Sequence, residues 1–432
     1  MLTRSLEALA GERRYQAANS QQLESSEKSN IALQVGLSRG KEIFSFEYDL
    51  DWLKNQALIY PIDPALQLFS GVQYSPQGQE NFGVFLDSAP DRWGRFLMDR
   101  REAQQAREEN KKARKLLVSD YLLGVFDAHR LGALRFKTES NGAFLDNNIA
   151  YASPPWASLR ELEQASFSLE QEDAEEHKNY SKWLKMLIAP GGSLGGARTK
   201  ASVIDGRGNL WIAKFPSRQD EFDIGAWEMV AHRLAQHAKI NVPEAKLERF
   251  CSTQHTFLSK RFDRIAHQRL HFASAMTLLQ RTDGDDASSG VSYLELAEFI
   301  SRQGSRPDQD LKELWRRIVF SMFISNTDDH LRNHGFILGP RGWALSPAFD
   351  INPNPHGDGL KLNISELDNA QDLNLAQEVA PYFRLKPEEA RGIIQEIGKA
   401  VKLWQKEAAA LGLTKKEQER MSEAFRVAER SK

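Results

Sequence analysis

Apolar and polar positions alternate twice near the start of the chain. "IALQVGL" and "EIFSFEY" place apolar residues at every second position and flank "SRGK". Period-two alternation on both sides of a glycine-bearing turn predicts a β-hairpin. "NFGVFLDSAPDRWGRFLMDRREAQQAREENKKARK" starts apolar and becomes a charged helix, and "VSDYLLGVFDAHRLGALRF" adds a helix and a short strand. "TKASVID" and "LWIAKFP" predict a second hairpin around "GRGN", and "EAKLERFCSTQHTFLSKRFD" predicts two further strands. A helical period governs two other stretches. "DIGAWEMVAHRLAQHA" puts Trp227, Val230, Ala231 and Leu234 on one face. In "LKELWRRIVFSMFISN", Leu311, Leu314, Trp315, Ile318, Val319, Met322 and Phe323 follow helical spacing.

These elements predict an α+β chain with a sheet-rich part followed by a helix-rich part. Residues 1–28 are polar ("QQLESSEKSN") and read as a loosely held extension. A first subdomain then covers 29–150, a sheet-rich core 151–285, and a helical part 286–432. The loop-rich "KTESNGAFLDNNIAYASPPW" is the linker candidate.

Composition narrows the class. The chain has 432 residues, 41% hydrophobic and 27% charged, an ordinary soluble globular balance. A net charge of −2 excludes a global basic field for nucleic acid. The single cysteine, Cys251, excludes an intrachain disulfide framework. No apolar run approaches the roughly 18 residues of a membrane span. The segment "MLTRSLEALAGERRYQ" shows no secretory apolar core. Together these features suggest a cytoplasmic enzyme or regulator.

The chemistry concentrates in "NTDDHLRNHGF", just after the apolar helix. "FIL" and "WAL" then flank "GPRG", a predicted tight hairpin that returns the chain to its starting end. Asn333, before the hairpin, should therefore lie near Asp350, after it. An aspartate, an asparagine five residues on, a hairpin and a second aspartate form a kinase arrangement. Asp328 has that spacing; Asp329 does not. In such sites the first aspartate takes the hydroxyl proton, and the asparagine and second aspartate hold Mg²⁺ through hard oxygen ligands. Substitution of Asp329 is expected to do much less harm than substitution of Asp328.

In the sheet-rich part, "GGSLGGARTKAS" precedes a strand, and its glycines let backbone N–H groups approach an anion. Lys214 shares a strand face with Leu210 and Ile212. It would either snorkel to the edge or grip ATP phosphates and pair with Glu228 on the next helix. His330 and His334 have a zinc-compatible i, i+4 spacing, but Asn333 and Gly335 argue against a continuing helix there. Asp263 and Arg264 pair with each other in the simplest reading, Trp93 is a packing anchor, and "RREAQQAREENKKARK" is a solvated helix face.

The ordered set "GGSLGGARTKAS", "WIAKFP", "FLSKRFDR", "NTDDHLRNHGF" and "LSPAFDINP" resembles HipA-family toxins. These are serine/threonine kinases of bacterial type II toxin–antitoxin modules. "FGVFLDSAPDRWGR" resembles the family's additional N-terminal subdomain. The resemblance implies a two-lobed protein-kinase-like fold, with a sheet-rich N-terminal lobe and an all-helical C-terminal lobe. It implies Asp328 as catalytic aspartate, His330 and Asn333 beside the nucleotide, Asn333 and Asp350 as Mg²⁺ ligands, and Phe349 where the family often has tyrosine. Gly195, Gly196, Ala197, Arg198, Thr199 and Lys200 would form the nucleotide loop. Lys214 would contact phosphates with Glu228 as its partner, and Lys260, Arg261 and Phe262 would form the hinge near adenine. Ser193 falls at the family's autophosphorylation site. ATP and Mg²⁺ are the implied cofactors, growth arrest the implied outcome, and a HipB-like helix-turn-helix antitoxin the implied partner, carrying the module to operator DNA. Known targets of the family include aminoacyl-tRNA synthetases. Leu194 and Thr199 replace prolines of many members, and Lys260 an acidic residue. Two other readings remain: a small-molecule kinase of aminoglycoside-phosphotransferase type, expected to lack the N-terminal subdomain and the "SLGGAR" loop, and a non-catalytic nucleotide-binding module.

Overall fold

The computed structural model describes residues 4–9, 31–38, 41–54, 60–137, 144–145, 154–191, 198–266 and 268–430. They form two compact units. One comprises 1–212 with 263–273 and 338–340; the other comprises 213–262, 274–337 and 341–432. Most of the linker candidate and residues 10–30 lie outside the described residues.

The first unit holds a five-stranded sheet in the order Gln73–Tyr74, Lys41–Tyr48, Ile31–Ser38, Arg4–Leu9, Arg135–Lys137. The early hairpin forms as its alternation predicts, with Ser38 opposite Lys41 and Leu33 opposite Phe46. Phe44, Phe46 and Tyr48 turn inward and pack with Phe82, Phe85 and Phe136. The Phe46 and Tyr48 rings meet edge to face at 4.7 Å. One expectation is corrected here. Arg4–Leu9, read as part of a loose extension, is a strand paired with both Ile31–Ser38 and Arg135–Lys137. "RSLEAL" is too short and too rich in helix formers for its own pattern to declare a strand; the two neighbouring edges supply the missing hydrogen bonds.

The charged helix Arg92–Glu108 starts at Asp91, whose carboxylate accepts from the Arg92 amide. Trp93 is buried, stacks on Phe96 and donates its indole N–H to the Lys200 carbonyl at 3.0 Å, an anchoring role. Lys200–Ile204 and Leu210–Lys214 form the second hairpin, its turn closed by Asp205. Asp263 and Arg264 do pair, at 2.6 Å, and the Asp263 carboxylate also accepts from the Gly132 amide.

In the second unit, helix Ile224–His237 buries Trp227, Val230, Ala231 and Leu234, the four residues of the expected face. Ala245–Glu248 and Thr256–Lys260 pair antiparallel. The helix Pro307–Phe323 has proline at its first position and Asp308 and Asp310 in its first turn, all favourable at a helix N-terminus. Leu311, Leu314, Trp315, Ile318, Val319 and Phe323 are buried throughout. Each contributes on the order of 1.5–3 kcal/mol by leaving water. Helices Tyr293–Gln303, Pro387–Val401 and Trp404–Ala410 complete the core of this unit. The strands Gly335–Gly339 and Gly342–Leu345 make the third hairpin, so this helical part also carries a small sheet element.

Candidate active site

The helix Pro307–Phe323 delivers the polar segment "NTDDHLRNHGF" from a rigid base. Past its C-cap, Ile324, the backbone of Ser325 turns left-handed at φ 50°. The Asn326 amide bonds the Ser321 carbonyl and the Ser325 amide that of Met322, a Schellman ending without its usual glycine. The chain then turns sharply. The Asp328 carbonyl accepts from the His330 amide at 2.9 Å and from the Asn333 side-chain amide at 3.1 Å. The Asp328 side chain is exposed, and among the described residues nothing pairs with its carboxylate. Asp329 goes the other way, into the core. There it accepts from the Tyr293 hydroxyl at 2.7 Å and lies 3.2 Å from the His334 imidazole. Burial pushes the Asp329 carboxyl up, but His334 and Tyr293 outweigh it and hold the carboxyl below its usual range. Asp329 is therefore an ionised interior group rather than a spare neighbour of Asp328, which weighs against the expectation that its substitution does much less harm than that of Asp328.

Lys214 does not snorkel. Its ammonium lies 2.5 Å from Glu228 on the following helix and 2.5 Å from Asp350. Burial would favour the neutral amine, but Asp350 and Glu228 outweigh it and raise the Lys214 pKa, so the charge is kept. Asp350 occupies the left-handed region at φ 60°, a conformation aspartate tolerates better than most side chains. Three of the expected residues, far apart in sequence, are thus joined in one ionic cluster. The hairpin closes at its base through the Ser346 amide on the Gly335 carbonyl. The Asn352 amide reaches Asn326 at 3.4 Å, and the Asn354 side chain reaches Thr327 at 2.8 Å. These bonds bring the stretch after Asp350 against the segment that carries Asp328.

The remaining expected residues fall as follows. Lys260 is at a strand end, 3.6 Å from Glu244; Arg261 is buried; Phe262 faces Phe349 with ring centroids 5.6 Å apart. His330 is half-buried beside the turn Leu331–Asn333, a single 3-10 turn, so His330 and His334 do not share a helix face for zinc. Arg198 is half-buried and Thr199 and Lys200 are buried, all in the first unit. Ser193, Gly195, Gly196 and Ala197 lie outside the described residues. Among the described residues no three His, Cys, Asp or Glu side chains gather as a metal site. An amide oxygen such as that of Asn333 and a carboxylate such as that of Asp350 are the donor types that a hard cation takes.

One contributor carries no sequence signal. Arg426, near the end of the chain, donates to Ser325 Oγ and to the Gly357 carbonyl, each at 3.0 Å, and also to Gln371. It ties down both ends of this loop pair. Gly357 is required where it sits, because a Cβ there would meet Thr327 side-chain atoms at 2.3 Å. Arg426→Ala should cost about 2 kcal/mol in urea unfolding, the scale of hydrogen bonds to a charged donor. Arg426→Lys should recover little, since a single ammonium cannot serve three spread acceptors. Unfolding midpoints identical to the parent in both variants would show that the tether is idle.

Comparison with known proteins gives a consistent answer. Residues 192–404 match the model of the HipA-like C-terminal domain family. A "Putative kinase" of Haemophilus influenzae is 29% identical over 154 residues, which are 32% of this chain and 45% of that protein. "Putative kinase Y4dM" of Sinorhizobium fredii is 28% identical over 159 residues, 34% of this chain and 38% of that protein. The chain thus spans less than half the length of these curated relatives. HipA of Shewanella oneidensis MR-1, solved with HipB and its operator DNA, superposes with a TM-score of 0.63 at 16% identity, covering 98% of this chain and 97% of that one. At that identity the likeness is one of fold. The matched stretch contains Lys214, Glu228, Asp328, Asn333 and Asp350, and residues 192–404 of this chain are a HipA-like C-terminal domain.

Proposed function

We propose that this chain is a serine/threonine protein kinase that transfers the ATP γ-phosphate to a protein hydroxyl and arrests growth as the toxin of a toxin–antitoxin module. The observation that carries the reading is the Lys214–Glu228–Asp350 cluster in the same unit as the exposed Asp328 and its Asn333-braced loop. Asp328 would accept the proton of the attacking hydroxyl. Lys214 would hold phosphate oxygens, with Glu228 keeping the ammonium in place. Asn333 and Asp350 would hold Mg²⁺, which when bound neutralises charge on the transferring phosphate. Lys260, Arg261, Phe262 and Phe349 would line the adenine, and residues 195–200 would supply backbone N–H groups to the phosphates. A helix-turn-helix antitoxin like the HipB in the Shewanella complex would neutralise the activity and carry the chain to DNA. An aminoacyl-tRNA synthetase is the target class the family resemblance suggests.

Incubation of the purified chain with γ-labelled ATP and bacterial lysate should label one or a few proteins on serine or threonine. No labelling above that of an Asp328→Asn control would overturn the reading. Self-inactivation through Ser193 makes a separate prediction. A phosphate adds about −1.5 to −2 charge, which would repel the ATP phosphates from the glycine-rich loop. Mass spectrometry should find phosphate on Ser193 in active protein and none in the Asp328→Asn variant, and the phosphorylated fraction should not bind Mg-ATP. A phosphorylated fraction with normal affinity would sink this switch and leave the kinase reading intact.

A further inference from the structure

We propose that Tyr293, Asp329 and His334 form a buried positioning triad that sets the direction of the Asp328 carboxylate; the inference rests on the kinase reading above. Asp328 and Asp329 are consecutive, yet one side chain is exposed and the other is 6% exposed. Fixing one side chain inward and leaving its neighbour outward fixes the rotation of the backbone between them. The inward anchor is made by three elements. Tyr293 is the first residue of the helix Tyr293–Gln303, at whose start the Ser292 amide donates to the Glu295 carboxylate at 3.1 Å. Its amide bonds the Asn363 carbonyl at 2.9 Å, and its hydroxyl donates to Asp329 Oδ2 at 2.7 Å. Ser321, on the helix before the loop, places Oγ 3.5 Å from the same oxygen. His334, at the far end of the loop, faces Oδ1 at 3.2 Å, and its carbonyl accepts from the Ala275 amide at 2.7 Å. The Tyr293 and His334 rings stand edge to face, 5.7 Å apart.

The energetics favour orientation over stability as the use of this cluster. A buried carboxylate is a costly way to fill a core, and an apolar group of like volume often does better. What an apolar group cannot do is fix direction. The Tyr293 hydrogen bond at Oδ2 and the His334 imidazole 3.2 Å from Oδ1 hold Asp329 in one rotamer, and the carbonyl of Asp328 is fixed from the other side by Asn333. Asn333 is an expected metal ligand, so one short segment would set proton acceptor and metal ligand together. A reacting group displaced by about 1 Å can lose on the order of a hundredfold in rate without any loss of binding.

The test uses the full chain and radiolabelled Mg-ATP, with transfer read as label in protein plus inorganic phosphate released. Tyr293→Phe removes one hydroxyl and keeps the ring packing, so it should fold. It should lower turnover by about tenfold or more while the Kd for Mg-ATP changes less than about threefold. In an Asp328→Asn background the same substitution should add nothing, because the group it positions is already gone. Asp329→Asn should show the same split between turnover and binding, and the pair with Tyr293→Phe should be less than additive. Parental turnover in both single variants, with Asp328→Asn inactive, would overturn the triad alone. So would an equal loss of turnover and binding, or a full further loss in the Asp328→Asn background. Transfer by the parent chain that does not depend on Asp328 would overturn the kinase reading, and the triad with it.

Discussion

Asp328→Asn is expected to lower phosphate transfer at least about a hundredfold, the usual scale of general-base loss, with no change in melting temperature. The second half of that expectation comes from the structure. The Asp328 carboxylate is exposed, and among the described residues it makes no hydrogen bond or ion pair. Its backbone carbonyl makes the contacts that hold the loop, and asparagine leaves those intact. An exposed side chain without partners contributes little to folding. The variant should therefore separate chemistry from structure cleanly, binding Mg-ATP like the parent and failing to transfer. A purified variant that transfers at near-parental rate would show that Asp328 is not the proton acceptor.

Asp350→Ala should remove most of the Mg²⁺ dependence of ATP binding, by at least about tenfold, the scale on which even outer-shell changes register in metal affinity. The expected protein ligands are one carboxylate and one amide, so neither has a substitute. The same substitution frees Lys214 from one of its two carboxylates and leaves it with Glu228. ATP without metal should then bind no worse than it does to the parent. Glu228→Gln should behave differently. It leaves Lys214 with Asp350 alone, so lysine and metal would compete for a single carboxylate. Calorimetry with and without Mg²⁺ distinguishes the two, and unchanged Mg-ATP affinity in Asp350→Ala would place the metal elsewhere. Growth inhibition on expression should be lost with Asp350→Ala as well.

The sequence by itself determined several elements whose pattern is local. The hairpins around "SRGK", "GRGN" and "GPRG" form because alternation and turn residues lie within a dozen positions of each other. The helices Ile224–His237 and Pro307–Phe323 bury the faces their spacing predicts. The partnership of Lys214 and Glu228 was likewise legible, because a strand and the next helix carry both. The tertiary structure decided what depends on distant partners. Arg4–Leu9 is a strand only because two edges flank it. Asp329 looks like a duplicate of Asp328 in the chain, and only the arrival of Tyr293, 36 positions earlier, shows it to be an interior anchor. Arg426 braces Ser325 from 101 positions away. A hydrogen bond leaves no periodic trace in the chain when its two ends are chosen by the packing of separate helices. Such contacts are set by three-dimensional proximity, and the sequence records only residue types able to make them.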